Sequence, residues 1–211
     1  MGQLRVGFAL LAVLLPLLLN ASHFIKNDLI NPEASKIIEE IGDELSSKTG
    51  IHAYVVATNN KMPVGFNMVA YSKKFDSNIS KPYVILIFAP NALITAKSED
   101  RGRVGLIPSS DEVKALYDAG DVKDATIDVV AAKDKNSKED KYNIGVVQGY
   151  SELADQIADS RGVEMTKTIP NETRIIVSIL QVLVIFGSIL VLWIFMIRPI
   201  VMRIKNGKRK Q

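Results

Sequence analysis

An α/β fold, a small mixed sheet flanked by helices and followed by one C-terminal transmembrane helix, is predicted by three features of this sequence. Two short, apolar, β-branched runs, Ile51 to Thr58 and Tyr83 to Ala89, have the composition of strands covered on both faces. Helical signals precede the first run and separate it from the second, which suits adjacent strands of a covered sheet. Near the C-terminus, Ile175 to Ile197 runs without a charge. A helix of that length, at about 1.5 Å per residue, covers roughly 34 Å, against a hydrocarbon core of about 30 Å.

Taken in order, Arg5 precedes an apolar stretch, Val6 to Leu19, that ends at Asn20, Ala21 and Ser22. It is short for a span and has a charged start, so residues 1–22 read as a signal peptide, with an uncleaved anchor as the alternative. Residues 23–162 then make one exported domain of ordinary size, and 163–174 a stalk containing Pro170. Residues 175–197 are the span and 198–211 a basic cytoplasmic tail holding Arg198, Arg203, Lys205, Lys208, Arg209 and Lys210. The cations flank one side of the span, which puts the tail inside and the domain outside. The expected location is the inner membrane of a bacterium, with the domain in the periplasm.

The whole chain has a formal charge of +3 and a pI near 9.0. From Phe24 to Pro170, however, 18 Lys and Arg face 22 Asp and Glu, a net of −4. The basic pI therefore belongs to the tail, which faces the lipid bilayer, and gives no reason to expect a nucleic-acid partner. There is no cysteine, so thiol chemistry, Cys-ligated zinc and iron–sulfur clusters are excluded.

Within the domain, Asn31-Pro32-Glu33 is a helix start: a capping Asn, Pro at the first position and an acid against the dipole. Ile37, Ile38, Ile41 and Leu45 mark its apolar face, and Lys48-Thr49-Gly50 its end. Between the two strands, Met68, Tyr71 and Phe75 give a weaker helical spacing over Met62 to Phe75. Pro90-Asn91 predicts a turn, Leu93 to Ala96 a short hairpin strand and Ser98 to Arg103 a charged loop. Ser109 and Glu112 have capping-box spacing ahead of a helix from Asp111 to Ala119. After a break at Gly120-Asp121, Val122, Ala125, Thr126, Val129 and Val130 predict a second helix. Lys133 to Lys141, with seven charges in nine residues, predicts a solvated loop. Val146, Tyr150, Leu153 and Ile157 predict a last helix from Ile144 to Ala158, closed by Arg161-Gly162.

This order of parts resembles the TPM-domain family, named for thylakoid-lumen, photosystem-associated and metazoan receptor-associated members. The pieces that carry it are Glu44 to Ile51 with Val55-Val56, the strand Val84 to Phe88, Gly105-Leu106 through Asp111, Ala119-Gly120-Asp121, and Gly145 to Ile157. The resemblance implies a small mixed sheet with flanking helices. It implies a metal-binding or acid-phosphatase activity, as described for some members, or a role in assembling or repairing membrane complexes, as for others. In typical members the second apolar strand runs into adjacent aspartates and an arginine, suited to a hard cation; this chain has Pro90-Asn91-Ala92 there. Two carboxylates fewer means weaker binding of Ca²⁺ or Mg²⁺.

The remaining candidates for a divalent cation such as Ca²⁺ or Mg²⁺ are Asp100, Asp111, Asp118 and Asp121. Asp118, Asp121 and Asp124 step by three, and Asp111 or Asp100 would have to join them across loops; the alternative is that they are surface and helix-capping acids. Glu99-Asp100-Arg101 offers an acid and a phosphate-positioning Arg, or simply an exposed loop. His52 reads as a packed strand residue, and His23 as an unstructured one beside the cleavage site. No Gly-x-Ser-x-Gly elbow and no phosphate-binding Gly-rich loop occurs. Asn20, Asn78 and Asn171 open glycosylation sequons, which matter only in a eukaryotic secretory pathway. In the span, Gln181 and the small pair Gly187-Ser188 either face lipid, which tolerates one Gln, or are where a second membrane helix would pack.

Two functions are expected from these features. One is a binding or accessory role toward another membrane protein or complex. The other is a cation-dependent, phosphatase-like hydrolase with a degenerate acidic site. They separate on whether the four carboxylates converge within about 5 Å of one point.

Overall fold

The computed structural model describes residues 22–96, 100–170 and 172–198, with 172–181 described by backbone alone. The expected signal peptide, apart from Ser22, and the basic tail, apart from Arg198, lie outside the described residues, as do Glu99 and Asn171. The contacts divide the chain after Ile169 into two units.

The first unit is a four-stranded mixed sheet in the order β1-β2-β3-β4. Its strands are β1 (Phe24–Asn27), β2 (His52–Ala57), β3 (Tyr83–Leu93) and β4 (Arg101–Pro108). The first three run parallel and β4 is antiparallel to β3. Around the sheet lie α1 (Pro32–Thr49), α2 (Met68–Ser72), α3 (Asp111–Lys114), α4 (Ala119–Ala131) and α5 (Lys138–Ser160).

Helix α1 begins and ends where its chemistry says. Asn31 Oδ1 accepts from the Ala34 amide at 2.8 Å, and Gly50 closes the helix at φ 72°, donating to the Ser46 carbonyl at 2.9 Å. Ile38, Ile41 and Leu45 are fully buried, while Ile37 turns partly outward. Strands β2 and β3 are buried along nearly their whole length, because both faces are covered. Ala53, Val55, Ala57, Val84, Leu86 and Phe88 face α1, α4 and α5. Tyr54, Val56, Ile85 and Ile87 face Met62 and Met68, with Phe66, Tyr71 and Phe75 packed around them. The crossovers β1 to β2 and β2 to β3 step the same way across the sheet but cover opposite faces. They must therefore have opposite hands, so one departs from the right-handed rule.

Several elements differ from expectation, each for a local reason. Strand β1 carried no signal, being four residues with a lysine in it. The turn expected at Pro90-Asn91 lies inside β3: a register shift between Ala89 and Leu93 absorbs the proline, and the Leu93 amide donates to the Met62 carbonyl at 2.9 Å. The charged loop expected at Ser98 to Arg103 ends in strand β4, whose arginines sit on a sheet edge, where charge is common. Ser109 does not cap a helix. It extends the sheet, its amide donating to the Tyr83 carbonyl at 2.8 Å and its Oγ accepting from the Tyr83 amide at 3.0 Å. Ser110 caps α3 instead, which stops at Lys114 rather than Ala119. The second helix starts at Ala119, without a break at Gly120-Asp121, because Asp118 caps it. The end of the expected loop Lys133 to Lys141 is helical, since Ser137 Oγ accepts from the Asp140 amide at 3.0 Å and starts α5 at Lys138. Of Met62 to Phe75 only Met68–Ser72 is helical.

The expected stalk does not leave the domain at Val163. Glu44 accepts hydrogen bonds from the Thr166 amide, the Thr166 hydroxyl and the Lys167 amide, Lys48 Nζ donates to the Glu164 carbonyl at 2.7 Å, and the Ile169 amide donates to Ser151 Oγ at 3.1 Å. The second unit holds α6 (Glu172–Leu192), continued by a π-helical turn, Trp193–Ile197. Among the described residues no helix is long and apolar enough to cross a membrane.

Candidate functional site

Strand β3 ends in a cleft between the β3–β4 hairpin and the facing ends of α4 and α5. The carboxyl end of parallel strands is where open α/β sheets usually hold ligands. Phe88 and Tyr142 meet edge to face at 5.2 Å and form part of its wall, with Val104 and Val130 beside them. Ile94 and Ile127 also line it, although each is more than 40% exposed. Its volume is about 500 Å³, the size of a small-molecule site.

The charge of this lining is of one sign. Arg101, Arg103, Lys138 and Lys141 line the cleft, and among the described residues no carboxylate does. Lys141 is neutralised by Asp134 at 3.1 Å and also donates to the Ala132 carbonyl. Arg103 is turned away, its Nη1 donating to the Phe66 carbonyl at 3.0 Å. Lys138 stands over the Tyr142 ring at 5.5 Å. Among the described residues neither Lys138 nor Arg101 has a carboxylate partner.

The sequence-predicted acids are elsewhere and do not come together. Asp118 Oδ1 accepts from the amides of Gly120 and Asp121 as the cap of α4, so Asp118 and Asp121 meet as cap and capped residue. Asp111 lies in the first turn of α3, and Asp100 is an exposed residue of the hairpin whose carbonyl accepts from the Ile94 amide. Among the described residues no group of three or more His, Asp or Glu is placed to hold a metal ion. The four-acid cation site expected from sequence is thus not formed. Of the expected helix contacts, Gln181 lies in α6 with its side chain outside the description. Ser188 Oγ donates to the Val184 carbonyl at 2.8 Å, and a Cβ at Gly187 would meet nothing within 4 Å.

No known protein-family model and no curated protein matches the chain.

Both histidines belong to a second constellation at the opposite end of β2. His23, expected to be unstructured, is 3% exposed. Its Nδ1 lies 2.9 Å from the Ala53 carbonyl and its Nε2 3.2 Å from an Asp43 carboxylate oxygen. Both partners are acceptors, so the ring satisfies both only when each nitrogen carries a proton. Tyr150 OH donates to the same Ala53 carbonyl at 2.8 Å, and burial pushes that phenol well above its ordinary range. Desolvation, with His23 nearby, lowers the pKa of His52, which stacks on Tyr54. A Cβ at Gly42 would run into the His23 ring and the Tyr150 hydroxyl. This cluster joins β1, α1, β2 and α5, and its closed packing makes it a structural joint.

Proposed function

We propose that the chain is a single-pass protein of a bacterial inner membrane, whose extracytoplasmic domain binds a membrane protein complex and serves its assembly or maintenance. The observation that carries this reading is the docked connection. The backbone stays bonded to the domain as far as Ile169, and the uncharged run begins at Ile175. The residues between them reach at most roughly 20 Å when extended, so a bilayer-inserted span would keep the domain at the membrane surface. A short tether suits a domain that works on neighbours in the same membrane.

Further support comes from the resemblance to the TPM-domain family, some of whose members are described as accessory factors of this kind. Binding is preferred to cation-dependent hydrolysis because Pro90 and Asn91 replace the acids of typical members and the four remaining aspartates stand apart. In the span, the open surface at Gly187 is suited to close approach of another helix.

Native gel electrophoresis of mildly solubilised membranes tests this reading. The tagged full chain is expected to migrate in a complex larger than itself, and to lose that position when 175–197 is exchanged for an unrelated span. Migration as the lone chain in native membranes would sink it.

A further inference from the structure

We infer that the cleft at the end of β3 binds an amphipathic anion: a phosphate or carboxylate group carried on a short apolar body. This deepens the binding reading above and rests on it. The argument comes from two properties of the same cavity. Its lining includes the apolar side chains Phe88, Val104 and Val130 and the ring of Tyr142, together with Ile94 and Ile127, which remain exposed. Two exposed apolar side chains at the mouth of a concave apolar site are surface that a ligand's hydrocarbon part would cover.

The second property is positive charge. Lys138 and Arg101 line the cavity without a carboxylate partner among the described residues, in a domain whose net charge is otherwise negative. A cation at an apolar wall favours a ligand that pairs an anion with hydrocarbon, because each half then meets its complement. A metal ion would be repelled here. An extended polyanion such as nucleic acid would meet one small cationic cleft on an acidic domain, which offers it no continuous track.

Calorimetry on the full chain in phosphatidylcholine nanodiscs tests the inference without any partner protein, so its outcome is independent of the native-gel result. The probes are butyl phosphate, inorganic phosphate and butanol, the first too short-chained to form micelles or load the disc. Butyl phosphate is expected to bind saturably, at least about tenfold more tightly than inorganic phosphate, since four buried carbons carry more than that factor, and about tenfold more tightly than butanol, since a charge-assisted hydrogen bond adds as much. Lys138→Glu and Ile127→Asp should each weaken it about tenfold while the melting temperature stays near that of the parent. Both positions are exposed, and Arg101→Glu serves if either variant fails to fold.

Equal binding of inorganic phosphate, equal binding of butanol, no saturable binding of butyl phosphate, or unchanged affinity in folded variants would each overturn the inference. Discs in which phosphatidylglycerol replaces phosphatidylcholine separate the sources of such a ligand. Competition by the disc assigns the site to lipid headgroups, and unchanged affinity assigns it to a free small molecule.

Discussion

Glu44 shows how much one carboxylate can hold. Burial pushes its pKa up, yet the hydrogen bonds from Lys48, Thr166 and Lys167 together outweigh burial and bring it down from 4.5 to about 2. A carboxyl whose folded value is depressed contributes stability above its unfolded value and loses it as pH falls toward the folded one. Glu44→Gln should therefore lower the melting temperature at neutral pH. The gap from the parent should close between about pH 4.5 and about pH 2, as a melting series across that range would record. The sequence offers Lys48, four residues on, as a partner for Glu44, but not Thr166 and Lys167, which lie far along the chain. His23 was equally hidden: a histidine ahead of a four-residue strand has no periodicity to read, and its burial depends on Asp43, Ala53 and Tyr150 arriving from three other elements. The cleft's cations were in plain view as charged residues, but only the fold shows that Arg101 and Lys138 line the same cavity while Arg103 turns away.

At the scale of elements, local chemistry was legible wherever a cap or an apolar period stood alone. Asn31, Pro32 and Gly50 delimit α1, and Val146, Tyr150, Leu153 and Ile157 are the buried face of α5. Boundaries failed where two caps competed, as at Ser109 and Ser110, or where tertiary pairing carried a strand through a proline. The acids of α4 left two readings open for a related reason: a helix-capping acid at Asp118 gives the same spacing as a cation site, and the structure has the cap. Helices α4 and α5 pack closely through glycines that the spacing did not reveal. A Cβ at Gly149 would run into Thr126 Oγ1 and stand 3.3 Å from the Val122 carbonyl, and one at Gly145 would be 2.9 Å from the Thr126 carbonyl. Gly149→Ala should destabilise the domain by about 1–3 kcal/mol, since the facing atoms include backbone that cannot step aside. Denaturant unfolding would show this as a lower midpoint with an unchanged slope.

On the scale of the whole molecule, the small mixed sheet with flanking helices agrees with the expected fold class, and the unit boundary falls at Ile169 rather than Gly162 because the following segment is bonded to α1. Removal of residues 172–211 should leave the domain melting at a temperature close to that of the full chain while moving it out of the carbonate-washed membrane fraction. A truncated chain still in that fraction would mean that the apolar run is not the anchor. The strand order carries a last consequence. Every strand pairs with its neighbour in sequence, so a chain delivered N-terminus first can add β1, β2, β3 and β4 to the growing sheet without threading any strand between two others. Helix α5 must reach back, through Asn143 to Asn31 and through Tyr150 to Ala53, as must the segment after it, through Thr166 and Lys167 to Glu44. The sheet is thus built as it arrives, and closure waits for the last helix of the domain and the residues that follow it.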